Sequence, residues 1–226
     1  SVMPLCQGSP FTDEEQETDD FRIIGIALDA SGSMQEVESD LIECFNEILI
    51  PGLLGGAAPQ VGAIRMGGLK FATSVTPLWK AGFHPLTDIP KLTKNDYRAN
   101  GSTALNQGVL DLVTACAAYA LELRKITGTN PETTIAVLSD GANNQHPQDP
   151  SDVHAVLSKL SPELFTLVFF WFETFELVDS KQIAQSMGFR DVEESKALPG
   201  ETSDQRKRRF RNKMKVFSDS MVKRVS

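Results

Sequence analysis

The amino-acid sequence predicts an α/β fold in which helices cover both faces of an open, mostly parallel β-sheet. Apolar segments with strand character alternate along the chain with segments whose apolar residues recur at helical spacing. Two apolar segments, FRIIGIAL and LFTLVFFWF, contain a single polar residue each, which is typical of strands buried on both faces of a parallel sheet. With 226 residues, of which 41% are hydrophobic, the chain is long enough to bury such a sheet.

The first strand is predicted at Phe21–Leu28, where no turn residue interrupts the apolar run. An amphipathic helix follows, with apolar residues at helical spacing over Met34–Ile48, and we expect Pro51 to stop it. The glycines and prolines of Leu53–Pro59 predict a loop, and Val61–Phe71 reads as the second strand. These elements form the first β-α-β unit of the predicted fold.

The middle of the chain is less regular. Gly67 and Gly68 interrupt the second strand, which indicates either a bulge or a close approach of another segment. Thr76–Trp79 is predicted as a short edge strand. Residues 80–102 mix prolines, charges and an Asn-Gly pair, so we expect mainly loop there, with room for a short helix near Pro90–Tyr97.

Helices and strands then alternate to the end of the chain. The predicted elements are a helix over Ala104–Lys125, a strand over Thr133–Leu138, a helix over Val153–Leu160, a strand over Leu164–Phe172, a helix over Ser180–Met187, a last strand over Phe189–Val192 and a terminal helix over Gln205–Val225.

We expect two parts in the chain: an acidic leader over residues 1–20 and a single domain over residues 21–226, which includes a basic amphipathic helix over about 203–225. The leader contains six acidic residues: Asp13, Glu14, Glu15, Glu17, Asp19 and Asp20. The stripe of apolar residues on the terminal helix favours docking on the sheet over a binding patch for nucleic acid or an acidic partner. Thr202 and Gln205 supply a capping box for its start.

Composition excludes several classes of function. The net charge of −8 and the pI near 5.0 argue against general affinity for nucleic acid. We see no apolar run that could cross a bilayer, and Ser1–Pro10 lacks the features of a secretory signal. Cys6, Cys44 and Cys116 are too few for a disulfide framework, so a reducing, cytoplasmic compartment suits the chain best.

Oxygen-bearing side chains follow two of the predicted strands and precede one helix. The first strand ends in Asp29-Ala30-Ser31-Gly32-Ser33, and the TTIAVL strand ends in Ser139-Asp140-Gly141. Thr103 lies just before the long helix that begins near residue 104. In open α/β sheets such positions meet at the carboxyl ends of the strands. Two carboxylates and three hydroxyls make a hard oxygen site that suits Mg²⁺, with Mn²⁺ or Ca²⁺ as alternatives.

This pattern resembles the metal-ion-dependent adhesion site of von Willebrand factor A domains: Asp-x-Ser-x-Ser, then a Thr, then an Asp. The resemblance implies a Rossmann-like sheet over about residues 21–192. It also implies that Ser31, Ser33 and Thr103 bind the metal directly and that Asp29 and Asp140 hold it through water. A Ser-Gly-Ser turn or an Asp-Gly bend alone has an ordinary structural explanation. The ordered combination favours a metal site over a degenerate site that binds nothing.

The resemblance further implies a Mg²⁺-dependent protein-interaction module that binds a Glu or Asp side chain of a partner protein. Without a signal or disulfides, the chain looks more like the intracellular bacterial members of the family, such as TerY-like adaptors and regulators in stress responses. We expect no enzymatic activity, no membrane partner and no nucleic-acid partner. Two alternatives remain: a metal-dependent phosphoester hydrolase and an extracellular adhesin domain.

The three histidines do not predict a metal site of their own. His84, His146 and His154 show no metal-ligand spacing, although His146 follows Asp140 by six residues and is the one nearest in sequence to the predicted metal edge. Cys44 and Cys116 fall inside predicted helices, where we expect them to be small core residues.

Overall fold

The computed structural model describes residues 20–56, 60–80, 82–140, 149–173 and 180–226. The predicted leader up to residue 19, which contains Cys6, therefore lies outside the described residues, and so does His146.

A seven-stranded β-sheet forms the middle layer of the described chain. Five strands run parallel: β1 (Arg22–Asp29), β2 (Ile64–Phe71), β5 (Glu132–Ser139), β6 (Phe165–Phe172) and β7 (Asp191–Ser195). Two short strands run antiparallel to β2: β3 (Val75–Pro77) and β4 (His84–Pro85). The strands lie in the order β3-β2-β1-β5-β6-β7, and β4 also pairs with β2.

Helices cover both faces of this sheet, which confirms the predicted α/β fold. The helices on the first face are α1 (Glu38–Cys44), α2 (Ile50–Gly56) and α6 (Ser203–Val225). The helices on the second face are α3 (Leu105–Thr127), α4 (Pro150–Leu157) and α5 (Ser180–Ser186). Successive strand residues point to opposite faces, so Ile24 and Ile26 of β1 pack under the first set of helices and Ile23 and Ala27 under the second.

Helix α3 approaches β1 closely at Gly25. A Cβ atom placed on Gly25 would lie 2.3 Å from Cys116 Sγ and 3.2 Å from Leu112 Cδ1, far inside normal contact distance. Glycine at this position therefore lets the longest helix of the second face sit directly on the central strand.

The prediction that Pro51 stops the first helix is wrong. A 3₁₀ turn (Gly32–Val37), α1, a π-helical turn (Phe45–Leu49) and α2 follow one another without interruption, so part of the predicted loop Leu53–Pro59 is helical up to Gly56. In the π turn the Ile50 N–H donates to Phe45 O, one residue further back than in an α-helix. This change of register comes just before Pro51, which has no N–H to donate, and the helix continues.

The prediction of a short helix near Pro90–Tyr97 is also wrong. The chain there makes a turn at residues 94–96, and the nearest helical segment is a 3₁₀ turn at Leu86–Asp88. The Thr93 N–H and hydroxyl both donate to Asp96 Oδ2, at 2.9 and 2.7 Å. Such side-chain bonds stabilise a local turn in competition with a helix.

Two of the other boundaries shift by a few residues. The second strand begins at Ile64, after a 3₁₀ turn at Gln60–Ala63, and the last begins at Asp191. At Gly67 the structure favours close approach, because a Cβ atom there would lie 2.7 Å from the Phe83 ring.

The terminal helix α6 docks through its apolar stripe, as the sequence predicts. The buried residues of the stripe are Phe210, Met214, Phe217, Met221 and Val225. Its capping box is present, with Thr202 and Gln205 each accepting from the other's backbone N–H, at 3.3 and 2.8 Å.

Four arginines of α6 bind carboxylates outside the helix, among them Arg224, whose Nη1 lies 3.1 Å from Asp191 Oδ2. Arg206 pairs with Glu36, Arg209 with Glu201 at 2.8 Å, and Arg211 with Asp40 and Glu43. Much of the basic charge of α6 therefore lies in ion pairs with carboxylates that pack beside the helix.

Candidate metal site

The parallel register of β1 and β5 brings the first two parts of the candidate site together. Leu28 pairs with Leu138, so Asp29 and Ser139 lie side by side at the carboxyl ends of their strands. The Ser139 hydroxyl donates to Asp29 Oδ2 at 2.6 Å, across 110 residues of sequence. The two strands are therefore joined by a side-chain hydrogen bond at the edge where the sequence places the site.

The loop after β1 turns its hydroxyls toward the end of β5. The Ser31 N–H donates to Asp29 Oδ1 at 2.8 Å, and the hydroxyls of Ser31 and Ser33 lie 3.1 Å apart. The Ser33 hydroxyl then donates to Asp140 Oδ1 at 2.8 Å. Four of the five predicted ligands thus form one continuous chain of contacts, from Asp29 through Ser31 and Ser33 to Asp140.

Thr103, the fifth predicted ligand, lies on the adjoining loop and is 4% exposed. Backbone hydrogen bonds tie this loop to the loop after β1: the Gly32 N–H donates to Gly101 O at 2.9 Å, and the Asn100 N–H donates to Ala30 O at 2.7 Å. Gly101 has φ +83°, a left-handed conformation that suits glycine, and it makes the bend before Thr103.

The site combines a buried carboxylate with an accessible side. Asp29 is fully buried, and burial raises the pKa of its carboxyl, while hydrogen bonds from Ser139 and Ser31 lower it. Ser33 and Gly32 are only half-buried, so the site opens toward solvent on their side. A charged carboxylate at such a depth is stabilised by a nearby cation.

The residues present fit a hard divalent cation. Two carboxylates and three hydroxyls, with neither sulfur nor imidazole among them, are the donor set that Mg²⁺ prefers. Across the described ranges, no group of three or more His, Cys, Asp or Glu side chains could hold a metal ion, so a zinc-type cluster finds no support there. His84 instead packs edge-on against Trp79, with ring centroids 6.0 Å apart, and His154 is exposed.

Sequence reasoning missed two residues that support the site. Tyr97 is fully buried and its hydroxyl donates to the backbone carbonyl of Asp29, and burial together with the charge of Asp29 raises the pKa of the phenol. Tyr97 lies at the end of the segment where the sequence allowed a short helix, and nothing in the local pattern indicated a role for it. Ser139 stands beside Asp140 in the motif, and only the strand register shows that its hydroxyl orients Asp29.

Comparisons with known proteins identify the fold through structure. No family model matches the chain, and no curated protein matches it. The chain is similar to a von Willebrand factor type A structure from Catenulispora acidiphila, with 17% identity, a TM-score of 0.55, and coverage of 87% of this chain and 42% of that one. It is also similar to the SpRpn10 VWA domain, with 11% identity, a TM-score of 0.56, and coverage of 82% and 93%.

A third similar structure is proximal thread matrix protein 1 from the mussel byssus, described with a zinc-occupied MIDAS motif. It shares 12% identity with this chain at a TM-score of 0.59, and the alignment covers 92% of this chain and 48% of that one. The chain thus spans less than half the length of two of these three proteins. Among helices of the described residues, none has the length and apolar character needed to cross a membrane.

The order of the strands, the helices on both faces and these structural neighbours agree. The chain has the α/β fold of the von Willebrand factor A domains.

Proposed function

We propose that this chain is a divalent-metal-dependent protein-interaction domain without enzymatic activity, with Mg²⁺ as its ion. It captures a Glu or Asp side chain of a partner protein at the site described above. One observation carries the proposal: the continuous contacts from Asp29 through Ser31 and Ser33 to Asp140, with Thr103 on the adjoining loop.

The residues divide into two groups by charge. We assign the neutral hydroxyls of Ser31, Ser33 and Thr103 to direct contact with the ion and the carboxylates of Asp29 and Asp140 to contact through water. When bound, the ion supplies a positive charge and an open ligand position for the partner's carboxylate. Such a pair is strengthened when the interface closes and excludes water.

The surrounding residues hold this arrangement in place before any partner arrives. Ser139 and the Ser31 N–H each bind one oxygen of the Asp29 carboxylate, which fixes its orientation. Tyr97 binds the carbonyl of the same residue and so fixes the backbone. Preorganisation of this kind lowers the entropy lost on binding.

The same contacts argue against the hydrolase alternative. An aspartate that attacks a phosphoester needs an oxygen exposed to the substrate. Asp29 is fully buried and both of its carboxylate oxygens accept hydrogen bonds. The geometry therefore suits a fixed support for a cation better than a nucleophile.

We further propose an intracellular adaptor or regulator. Cys44 and Cys116 are buried on opposite faces of the sheet, so they are not joined to each other, which suits a protein of a reducing compartment. No contact of the described residues specifically favours the alternative of an extracellular adhesin.

Thermal unfolding tests the metal site directly. Wild type, Ser31→Ala/Ser33→Ala and Ser39→Ala are compared in Mg²⁺, Mn²⁺, Ca²⁺ and EDTA; Ser39 is an exposed serine of α1 and serves as the matched control. A metal at about 100 times its Kd stabilises the folded state by about 2.7 kcal/mol. For a chain of this length, that corresponds to a Tm rise of roughly 5–11 °C.

We expect this rise in wild type and Ser39→Ala and its absence in the double variant. An equal rise in the double variant would place the bound metal elsewhere. The absence of a rise with any of the three ions in wild type would refute the proposal.

A further inference from the structure

An open cleft lies beside the candidate metal site. It has a volume of about 410 Å³ and is lined by Gln35, Glu38, Arg98, Ala99 and Asn100. Gln35 follows Ser33 by two residues, and Asn100 precedes Thr103 by three. The cleft and the site are therefore built from the same two segments of the chain, residues 29–38 and 98–103.

Arg98 projects from a rigid part of this cleft. Its chain neighbours Tyr97 and Ala99 are buried, whereas Arg98 and Asn100 are exposed, so the exposed side chains alternate with buried ones. The Ala99 N–H donates to Glu38 Oε2 at 2.7 Å, and the Asn100 N–H donates to Ala30 O at 2.7 Å. The backbone on both sides of Arg98 is thus fixed before a partner binds.

Arg98 forms no ion pair with the described residues of the chain. No described carboxylate lies within ion-pair distance of its guanidinium, in contrast to Arg206, Arg209 and Arg211 of α6. Glu38 lines the same cleft, but one of its oxygens accepts the Ala99 N–H. A guanidinium presents paired N–H donors that match the two oxygens of a carboxylate.

We infer that the Arg98 cleft binds a second carboxylate of the partner, next to the one captured at the metal site. The inference rests on the proposed function and narrows the partner to a protein segment with two acidic side chains. Gln35 and Asn100 are exposed and line the same cleft, where their amides can offer hydrogen bonds to the backbone of that segment.

Synthetic peptides test this inference on the full chain. The probes are a fluorescent peptide with a single Glu among glycines, a series with a second Glu at each neighbouring position on either side, and matched peptides with Gln in place of the second Glu. Binding is measured by anisotropy in excess Mg²⁺ and in EDTA. The variants are Arg98→Gln and, as a control of equal charge change, Lys94→Gln, an exposed cation outside the lining of the cleft.

We expect at least one peptide with two Glu residues to bind about three- to fivefold more tightly than its Gln control, the size of an exposed ion pair. Arg98→Gln abolishes this gain and leaves the Mg²⁺-dependent binding of the single-Glu peptide unchanged, whereas Lys94→Gln retains the gain.

The two proposals fail in different ways. Mg²⁺-dependent binding of the single-Glu peptide, without any gain from a second Glu or with a gain that survives Arg98→Gln, overturns the inference and leaves the proposed function standing. Binding that is equal in Mg²⁺ and EDTA, or no binding in Mg²⁺, overturns the proposed function and the inference together.

Discussion

The contact between α3 and β1 at Gly25 allows a quantitative test of the fold. In Gly25→Ala the new methyl group would begin 2.3 Å from Cys116 Sγ, while normal contacts are about 3.5–4.0 Å. The Cys116 side chain must therefore leave its position in the core, or the helix and the strand must move apart by about 1 Å. Overpacking of this kind in a buried core costs about 1–3 kcal/mol, and for a chain of this length we expect a Tm lower by roughly 2–12 °C.

A second substitution isolates this contact. Cys116→Ala removes the sulfur atom and costs about 1 kcal/mol in wild type, because little apolar volume is lost. In the Gly25→Ala background the same change relieves the clash, so we expect the double variant to be more stable than the sum of the single changes predicts, by about 1–2 kcal/mol. Free energies of unfolding from urea titrations of the four proteins give the coupling. Additive effects, or a Gly25→Ala protein as stable as wild type, would refute the close contact.

Two further predictions concern α6. Arg209 donates from all three guanidinium nitrogens to Glu201, Ser195 and the Glu173 carbonyl. Arg209→Lys should therefore lower the free energy of unfolding in urea by about 1–3 kcal/mol, whereas Arg208→Lys, on the exposed side of the helix, should lower it by less than about 0.5 kcal/mol. Equal losses in the two variants would contradict a stabilising role of these Arg209 hydrogen bonds. The hydrogen bond from Arg209 holds the pKa of Glu201 below its ordinary value of 4.5, so this pair stabilises the folded state above pH 4.5, and its contribution is lost as the pH falls through the folded pKa. Glu201→Gln should therefore be less stable than wild type at neutral pH, with a difference that narrows below pH 4.5 in acid titrations followed by circular dichroism.

The sequence predicted the sheet well because its central strands are buried on both faces. Apolar runs such as Phe165–Phe172 leave few alternatives to a central strand. The oxygen-bearing loops were also predictable, since they directly follow β1 and β5, and parallel register brings such ends together. Local pattern and global fold agree at these positions.

The remaining features depend on contacts that local patterns do not contain. The helix continues through Pro51 because a π turn comes just before it. A turn forms in place of the helix predicted near Pro90–Tyr97, where the Thr93 N–H donates to Asp96. The sequence predicts that α6 docks through its apolar stripe, but it does not show that Arg206 pairs with Glu36, which precedes it by 170 residues. The sequence does not show that Arg98 lies near the candidate metal site, because this depends on the hydrogen bonds that join residues 100–101 to the loop after β1.

The distance in sequence between the parts of the site has a kinetic consequence. Ser33 and Asp140 are 107 residues apart, and Asp29 and Ser139 are 110 apart, so a fragment that assembles the site must include residues 29–140, about half of the chain. Contacts between residues so far apart in sequence form only after the ends of the intervening segment have been brought together. If the proposed cation binds here, its contacts are completed only after these distant segments have met, so we expect it to slow unfolding more than it speeds folding.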